Sequence, residues 1–333
     1  MDKKFHVIFI PKINYECQKY IDEKNLKAEL SIFNLPIDLI PLDKDIISLD
    51  CNDSIKDLYV DGNLDVLSKL TRSIIKFETI FGKIKYKYAK GDNARILKKL
   101  LDQEEEISLF ETDSEIFASI ILDRSVDFIT PLCSQGTYES LLDEYFNIDL
   151  NMIKVQPEIL AYQEKESIKL ELSSKNKFYA NIRDLNFNHL RIYLHNKVKE
   201  EVNFRNEHAK NQKINNQNVN ELSEFLEKYK KFQNEREILS NHVCLAEHIT
   251  KSTKHPIFSE ILRMEQYMLY DELPTYIYEF YESEIAKQTD INTLMRIMCI
   301  ESLVHNGMKP KLYDQLKRDF LSVNHLIKKL FQK

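Results

Sequence analysis

Glycine is scarce in this chain and tryptophan is missing. The five glycines are Gly62, Gly82, Gly91, Gly136 and Gly307. None falls into a GxGxxG or GxxxxGK run. A phosphate cradle needs closely spaced glycines so that backbone N–H groups can approach the anion, so nucleotide binding through either loop is excluded. The five cysteines (Cys17, Cys51, Cys133, Cys244 and Cys299) are isolated, with no CxxC. That spacing points to reduced, packed thiols in a cytosolic setting. Long apolar runs are missing as well. Residues 5–10 follow Lys3-Lys4 as a signal peptide would, but the run is too short and no small-residue cleavage site follows. Nothing approaches the ~20 apolar residues of a membrane span, so any membrane association is expected to be peripheral. Cations are not in excess: 47 Lys and Arg stand against 53 Asp and Glu, a net charge of -6. Nucleic acid is therefore not an expected partner, since phosphate neutralisation needs clustered cations.

What is present fits a globular protein, with 43% hydrophobic and 30% charged residues. A chain of this length can hold two or more domains and bury about 75% of its unfolded surface. The most informative stretch is 116–148, IFASIILDRSVDFITPLCSQGTYESLLDEYFNI. Residues 116–122 are apolar and rich in β-branched side chains, as in a strand covered on both faces. Asp123-Arg124 closes it. Thr130-Pro131 supplies a capping-type residue followed by the residue best tolerated in a first helical turn. Tyr138, Leu141, Leu142, Tyr145 and Phe146 recur at helical spacing on one face.

The first third alternates strand and helix, which implies a mainly parallel sheet. Strands are expected over 5–10 and 29–33, a helix over 15–25, and extended chain through Pro36 and Pro41. A strong helix is expected over 63–81, with Leu64, Leu67, Leu70, Ile74, Phe77 and Phe81 on one face and Gly82 as its C-cap. KIKYKYAK (83–90) alternates like a half-exposed strand. Asp92 is a candidate N-cap for a helix through Leu101, and 104–106 a candidate acidic loop. From about Ser173 the pattern becomes all-helical. Phe187, Leu190, Leu194, Val198 and Val202 form one stripe. A polar stretch, 211–220, then leads to a heptad-like seam of Leu222, Phe225, Tyr229, Phe232, Arg236, Leu239, Val243 and Ala246. The seam reads either as internal packing or, in part, as an open groove for another helix. Two long helices around a polar linker imply an antiparallel helical hairpin with its tip near 206–220. Asp290 looks like the N-cap of a helix over 291–304, closed by Asn306-Gly307. The fold class is thus α/β plus all-α: parallel-sheet α/β domains followed by a helical domain with a long hairpin. The expected divisions are 1–60, 61–150, 173–285 and 286–333.

Two clusters invite a chemical reading. Asp123 and Asp127 could serve an α/β phosphatase or hydrolase, but that chemistry wants two aspartates two apart and here the spacing is four; turn and cap hydrogen bonding is the plainer role. His242, Cys244 and His248 on one helix do not make a closed tetrahedral site, so no metal is assigned and packing is expected. No Ser or Cys stands in a nucleophile motif. No catalytic residue and no cofactor is assigned.

The order LDRSVDFITPL followed by TYESLLDEYFNI resembles the signature of the SM proteins, the syntaxin-binding fusion chaperones, and within them the vacuolar protein-sorting type found in the HOPS and CORVET tethers. PIDLIPLDKDIISLD (36–50), FGKIKYKYAKGDNA (81–94), FYANIRDLNFN (178–188), EREILSNHVCLAEHI (235–249) and LMRIMCIESLVHNGMKPKLYDQLKRDF (294–320) resemble further family segments in the same order. Gly136 and Ser140 depart from it, standing where the family usually has Leu and Gly. The family also extends beyond both ends of this chain. The resemblance implies a non-enzymatic chaperone of vesicle fusion with endosome and vacuole or lysosome, cytoplasmic and peripheral on those membranes through its partners. It implies a syntaxin-type SNARE on the first domain, a vesicle SNARE along the hairpin and a scaffold subunit of the tether as partners. A reduced relative that binds the scaffold alone is a further reading. Val198, Val202, Arg205, Leu222, Phe225 and Tyr229 become the expected SNARE contacts. Asp123, Arg124, Asp127, Thr130, Pro131, Tyr138 and Glu139 become a structural signature.

Overall fold

The structure is a computed structural model that describes residues 5–10, 13–35, 37, 39–107, 116–163, 166–211, 219–270, 272 and 275–323; the side chains of 105–107, 204–211, 219–234 and 323 lie outside the description. The chain divides into two compact units, Met1–Val126 and Asp127–Lys333.

The first unit starts with a βαβ turn. Strand β1 (Phe5–Phe9) pairs in parallel with β2 (Leu30–Asn34), and helix α1 (Tyr15–Glu23) crosses between them. Asn14 caps α1 by accepting from the Cys17 N–H at 2.7 Å. Strands β3 (Ile40–Asp43) and β4 (Ile46–Ser48) then form an antiparallel hairpin. The sequence pattern anticipates the extended chain but not the turn back. Pro36 and Asp38 lie outside the described residues. A single π-helical turn, Lys56–Val60, precedes helix α2 (Asp65–Phe81), which Gly82 ends at φ 88. Strand β5 (Tyr86–Lys90), helix α3 (Asp92–Ile107) and strand β6 (Ala118–Leu122) make a second parallel unit. Helix α3 runs on through 104–106, where the acidic run suggests a loop. Among the described residues this unit's sheets are two-stranded, two parallel and one antiparallel, so pairing here is mainly parallel, as the alternation of strand and helix implies.

The expected alternation of β5 is present: Tyr86 and Tyr88 are exposed while Lys87 turns inward. Its ammonium meets Glu78 at 2.8 Å, and Glu78 also accepts from the Ile84 N–H at 3.1 Å. A paired and hydrogen-bonded charge can be buried where a lone one cannot. The buried residues of α2 are Leu67, Thr71, Ser73 and Glu78; along the expected apolar stripe Leu70, Ile74 and Phe77 are half-buried, and only its ends, Leu64 and Phe81, are exposed. Among the described residues strand β6 is covered on one face, not on both as expected: Ile120 and Leu122 are exposed.

The second unit holds two cores. The first gathers helix α4 (Tyr138–Phe146), the antiparallel strands β7 (Met152–Val155) and β8 (Ile168–Glu171), helix α5 (Lys177–Ile182) and the long helices α6 (Phe187–Asn211) and α7 (Val219–Thr253). The expected face of α4 is confirmed: Tyr138 and Leu142 are fully buried, and Tyr145 and Phe146 pack at the margin. Thr130-Pro131 does not start that helix; it makes a 3-10 turn, and Thr137 precedes α4. The second core joins α8 (Pro256–Leu269), α9 (Ile277–Ala286), α10 (Ile291–Val304) and α11 (Pro310–Val323). Asp290 caps α10 as expected, accepting from the Thr293 N–H at 2.9 Å, and Asn306 and Gly307 follow it at φ 54 and 117. Buried carboxylates break the apolar pattern here. Glu265 takes the N–H and hydroxyl of Ser134, Glu284 the hydroxyl of Thr289, and Glu301 the hydroxyl of Tyr281. Burial raises the carboxyls of Glu265 and Glu301 above the ordinary range.

Candidate partner-binding site

The signature residues are hydrogen-bonding hubs in each unit. In the first, strand β6 delivers Asp123 to the N-terminus of α3. Its carboxylate accepts from the Tyr59 hydroxyl and from the backbone N–H groups of Asn93 at 2.8 Å and Ser125 at 3.3 Å. Burial opposes its ionisation, but these donors outweigh it and hold the carboxyl below the usual range. Only glycine fits opposite: a Cβ at Gly91, which has φ +97, would meet the Asp123 Cβ at 2.3 Å.

In the second unit Asp127 accepts from the N–H groups of Ile129 at 3.0 Å and Thr130 at 2.9 Å, the turn-capping role. Beyond Pro131 the chain is laced to the link between α5 and α6. Tyr138 N–H donates to Leu185 O, Glu139 N–H to Arg183 O, and Phe187 N–H to Gly136 O, at 3.0, 3.0 and 2.9 Å. The two departures from the family pattern fit this lacing. A Cβ at Gly136 would make only ordinary contact, 3.7 Å from Asn186 Nδ2, and the Ser140 hydroxyl bonds that of Thr137 at 2.6 Å. Side chains extend it. Tyr179 donates to Glu139 at 2.8 Å, and the Arg183 guanidinium lies 3.7 Å from the same oxygen. Tyr138 and His242 Nδ1 share a hydrogen bond of 2.8 Å, and the rings of Tyr179 and Phe178 also flank the imidazole. Burial lowers His242 to about 4 and pushes the Tyr138 and Tyr179 hydroxyls up. His242 is thus a packed, neutral histidine. His248 lies against the Phe146 ring, and Cys244 packs at the edge of the same core.

The expected partner-binding helices rise from this hub. Leu190 and Leu194 of α6 share the core with Leu239, Ala246 and Ile249 of α7, and Val198 packs at its margin. Farther along, Arg236 Nε stands 3.2 Å from Glu201 Oε1 beside a cavity of about 270 Å³. Val202 is 38% exposed. The seam residues Leu239, Val243 and Ala246 thus serve as internal packing. The side chains of Arg205, Leu222, Phe225 and Tyr229, and residues 212–218, lie outside the described ones.

Sequence reasoning missed the partners of the signature: Tyr59, Tyr179, Arg183 and His242. It also missed Arg296, which donates to both oxygens of Glu144 at 2.7 Å and ties α10 to α4. A buried polar residue at an apolar helical position, such as His242 amid the α7 stripe, was the available signal. No group of His, Cys, Asp and Glu suited to a metal occurs among the described residues, and no described helix is long and apolar enough to cross a membrane.

Comparison with known proteins agrees with this geometry. The chain is 30% identical over 327 residues to the vacuolar protein-sorting-associated protein 33 homolog of Arabidopsis thaliana, covering 96% of this chain and 54% of that protein. It is 28% identical to vacuolar protein sorting-associated protein 33A of Rattus norvegicus, covering 96% and 55%. The chain thus spans about half the length of these curated relatives. The solved SM protein Vps45, in complex with the Qa SNARE Tlg2, superposes with a TM-score of 0.65 at 18% identity, over 95% of this chain and 57% of that one. With the Sec1 family profile matching residues 1–333, the chain belongs to the Sec1 family.

Proposed function

We propose that this protein is a SNARE-binding chaperone that works within a membrane-tethering complex of the HOPS or CORVET type, at fusion with endosome and vacuole or lysosome. The observation that carries the reading is the α6–α7 pair, anchored at its base by the signature hub and carrying an exposed apolar position at Val202. Its relatives supply the context: two are named for vacuolar protein sorting, and a structural neighbour is recorded with a Qa SNARE. In this proposal α6 and α7 form a hairpin. Val198, Val202, Arg205, Leu222, Phe225 and Tyr229 face the SNARE helix, and the divisions 1–60, 61–150, 173–285 and 286–333 act as domains. A syntaxin-type SNARE binds the first of these and a tether scaffold subunit holds the whole at the membrane surface. The work done is templating, since helices held in register lose less entropy when they zipper. Turnover is no part of it: both oxygens of Asp123 and Oδ1 of Asp127 accept hydrogen bonds within the fold.

The test is a pull-down with endolysosomal Qa and vesicle SNAREs, with thermal melting of each variant. Val202→Asp and Phe225→Asp are expected to weaken capture at least tenfold, about 1.4 kcal/mol, while melting stays near wild type. Undiminished capture by both folded variants would move the SNARE site off these helices.

A further inference from the structure

Helix α6 has a basic face that the first core leaves uncovered. From Phe187 to Lys199 it carries no acidic residue, although acids outnumber bases 53 to 47 over the whole chain. Arg191, His195 and Lys199 follow one another at i, i+4 and i+8, and all three are exposed. At 3.6 residues per turn, Asn188, Ile192 and Val202 fall between or beside them, within an arc of about 100°. Ile192 is 61% exposed and Val202 38%. The core side of the helix, with Phe187, Leu190 and Leu194, lies next to this arc and not on it. The acids that follow are off the arc too, and each is matched. Glu200 meets Lys197 Nζ at 2.6 Å, and Glu201 meets Arg236. Arg191 and Lys199 form no ion pair among the described residues.

The charge on this arc selects what can cover it. Exposed apolar side chains flanked by unmatched cations are the complement of an amphipathic helix whose apolar ridge is flanked by carboxylates, the arrangement by which paired helices choose partners. Ten residues separate Ile192 from Val202, ~15 Å along the axis. A helix lying along α6 at a shallow angle therefore meets both with apolar residues about three turns apart. Two fixed cations and one histidine are too few to hold an anionic lipid surface, where each charge adds little.

We propose that this arc of α6 docks an acidic amphipathic helix, with its apolar ridge over Ile192 and Val202 and its carboxylates at Arg191 and Lys199. The proposal rests on the SNARE-binding reading for the identity of that helix, and on α6 alone for its chemistry. The first probe is a synthetic amphipathic helical peptide with a leucine ridge and glutamate flanks, set against its twin with lysine flanks. By fluorescence anisotropy the full chain is expected to bind the glutamate peptide at least ~10-fold more tightly, and the double variant Arg191→Glu, Lys199→Glu should reverse that order. Both substituted positions are exposed, so melting should stay near wild type. The second probe is a set of purified endolysosomal Qa and vesicle SNARE domains, whose capture the same double variant should weaken at low salt and much less at high salt. A peptide preference that is missing, or that the double variant leaves unreversed, would overturn the proposal. So would SNARE capture that survives the double variant but is lost in Phe225→Asp, which would leave the SNARE reading intact and seat the SNARE elsewhere on the hairpin. A reversed peptide preference without SNARE capture by the wild type would remove the SNARE reading and uphold the acidic helix as the ligand of this face. Vesicles of phosphatidylcholine and phosphatidylserine that bind the wild type more tightly than the glutamate peptide does would make lipid the partner and overturn it.

Discussion

The parallel pair β5–β6 of the first unit and the helical cores of the second solve burial differently. Around α4 each apolar side chain of the expected face meets a neighbour, from Tyr138 against His242 to Phe146 against His248. On β6 only one face is met among the described residues. Ala94, Leu97 and Leu101 of α3 are buried, whereas Ile120 across the strand is 74% exposed. Parallel sheets are ordinarily covered on both faces. The same kind of apolar residue thus carries unequal weight in the two units, and its burial, not its type, sets the cost of changing it.

The largest effect that sharpens this contrast is expected at Leu142. Leu142→Ala removes a fully buried side chain from a closed core and should cost about 2–5 kcal/mol in chemical denaturation. A loss below 1 kcal/mol would mean that the core collapses around the gap and the contrast is false.

Acid should strain the second unit next. His242 is lowered from 6.5 to about 4. The unfolded chain therefore takes up a proton that the folded one refuses between those values. The stability from neutral His242 is complete above pH 6.5 and drains away as pH falls toward 4, by about 3 kcal/mol at ~1.4 kcal/mol per pH unit. Glu265 and Glu301, raised by burial, act in the opposite sense, so the readout is a difference. Melting of wild type minus His242→Gln across pH 7 to 4.5 should shrink steadily. A flat difference would remove His242 as the cause.

A smaller loss is expected at the first unit's hub. Asp123→Ala removes the acceptor of the Tyr59 hydroxyl and of the Asn93 N–H and should cost about 1–3 kcal/mol by denaturant melting. Tyr59→Phe made in the same background should add little, and additive losses would show that the two do not act as one unit. The smallest effect belongs to Ile120→Ser, within about 0.5 kcal/mol for an exposed position. A loss comparable to Leu142→Ala would show that the open face of β6 is covered in solution.

Much of this was legible in the chain. The periodicity of Tyr138, Leu141 and Leu142, the glycine stop at Gly82 and the Asp290 cap are local signals, and each appears where the pattern puts it. The family signature likewise led to the family. What stayed hidden depends on partners far along the chain. Lys87 turns inward because Glu78 waits for it. His242 is buried because Tyr138, distant in sequence, offers a hydroxyl. The β7–β8 hairpin escaped because each strand has only four residues, too few for alternation to stand out. The residues proposed to face a SNARE rest on the family resemblance and on helical spacing, and spacing says which residues share a face but not what that face meets.

The Asp123 carboxylate at the start of α3 has one more consequence. The first turn of a helix after a parallel strand is where α/β proteins commonly hold phosphate. Here a tethered anion already sits there, presented at the effective concentration of an intramolecular group. A free phosphate arriving at α3 competes with a ligand that never diffuses away and shares its sign of charge. Anyone wishing to install a nucleotide site in this fold would have to evict Asp123 first, and would lose the strut that joins Tyr59 to the end of β6.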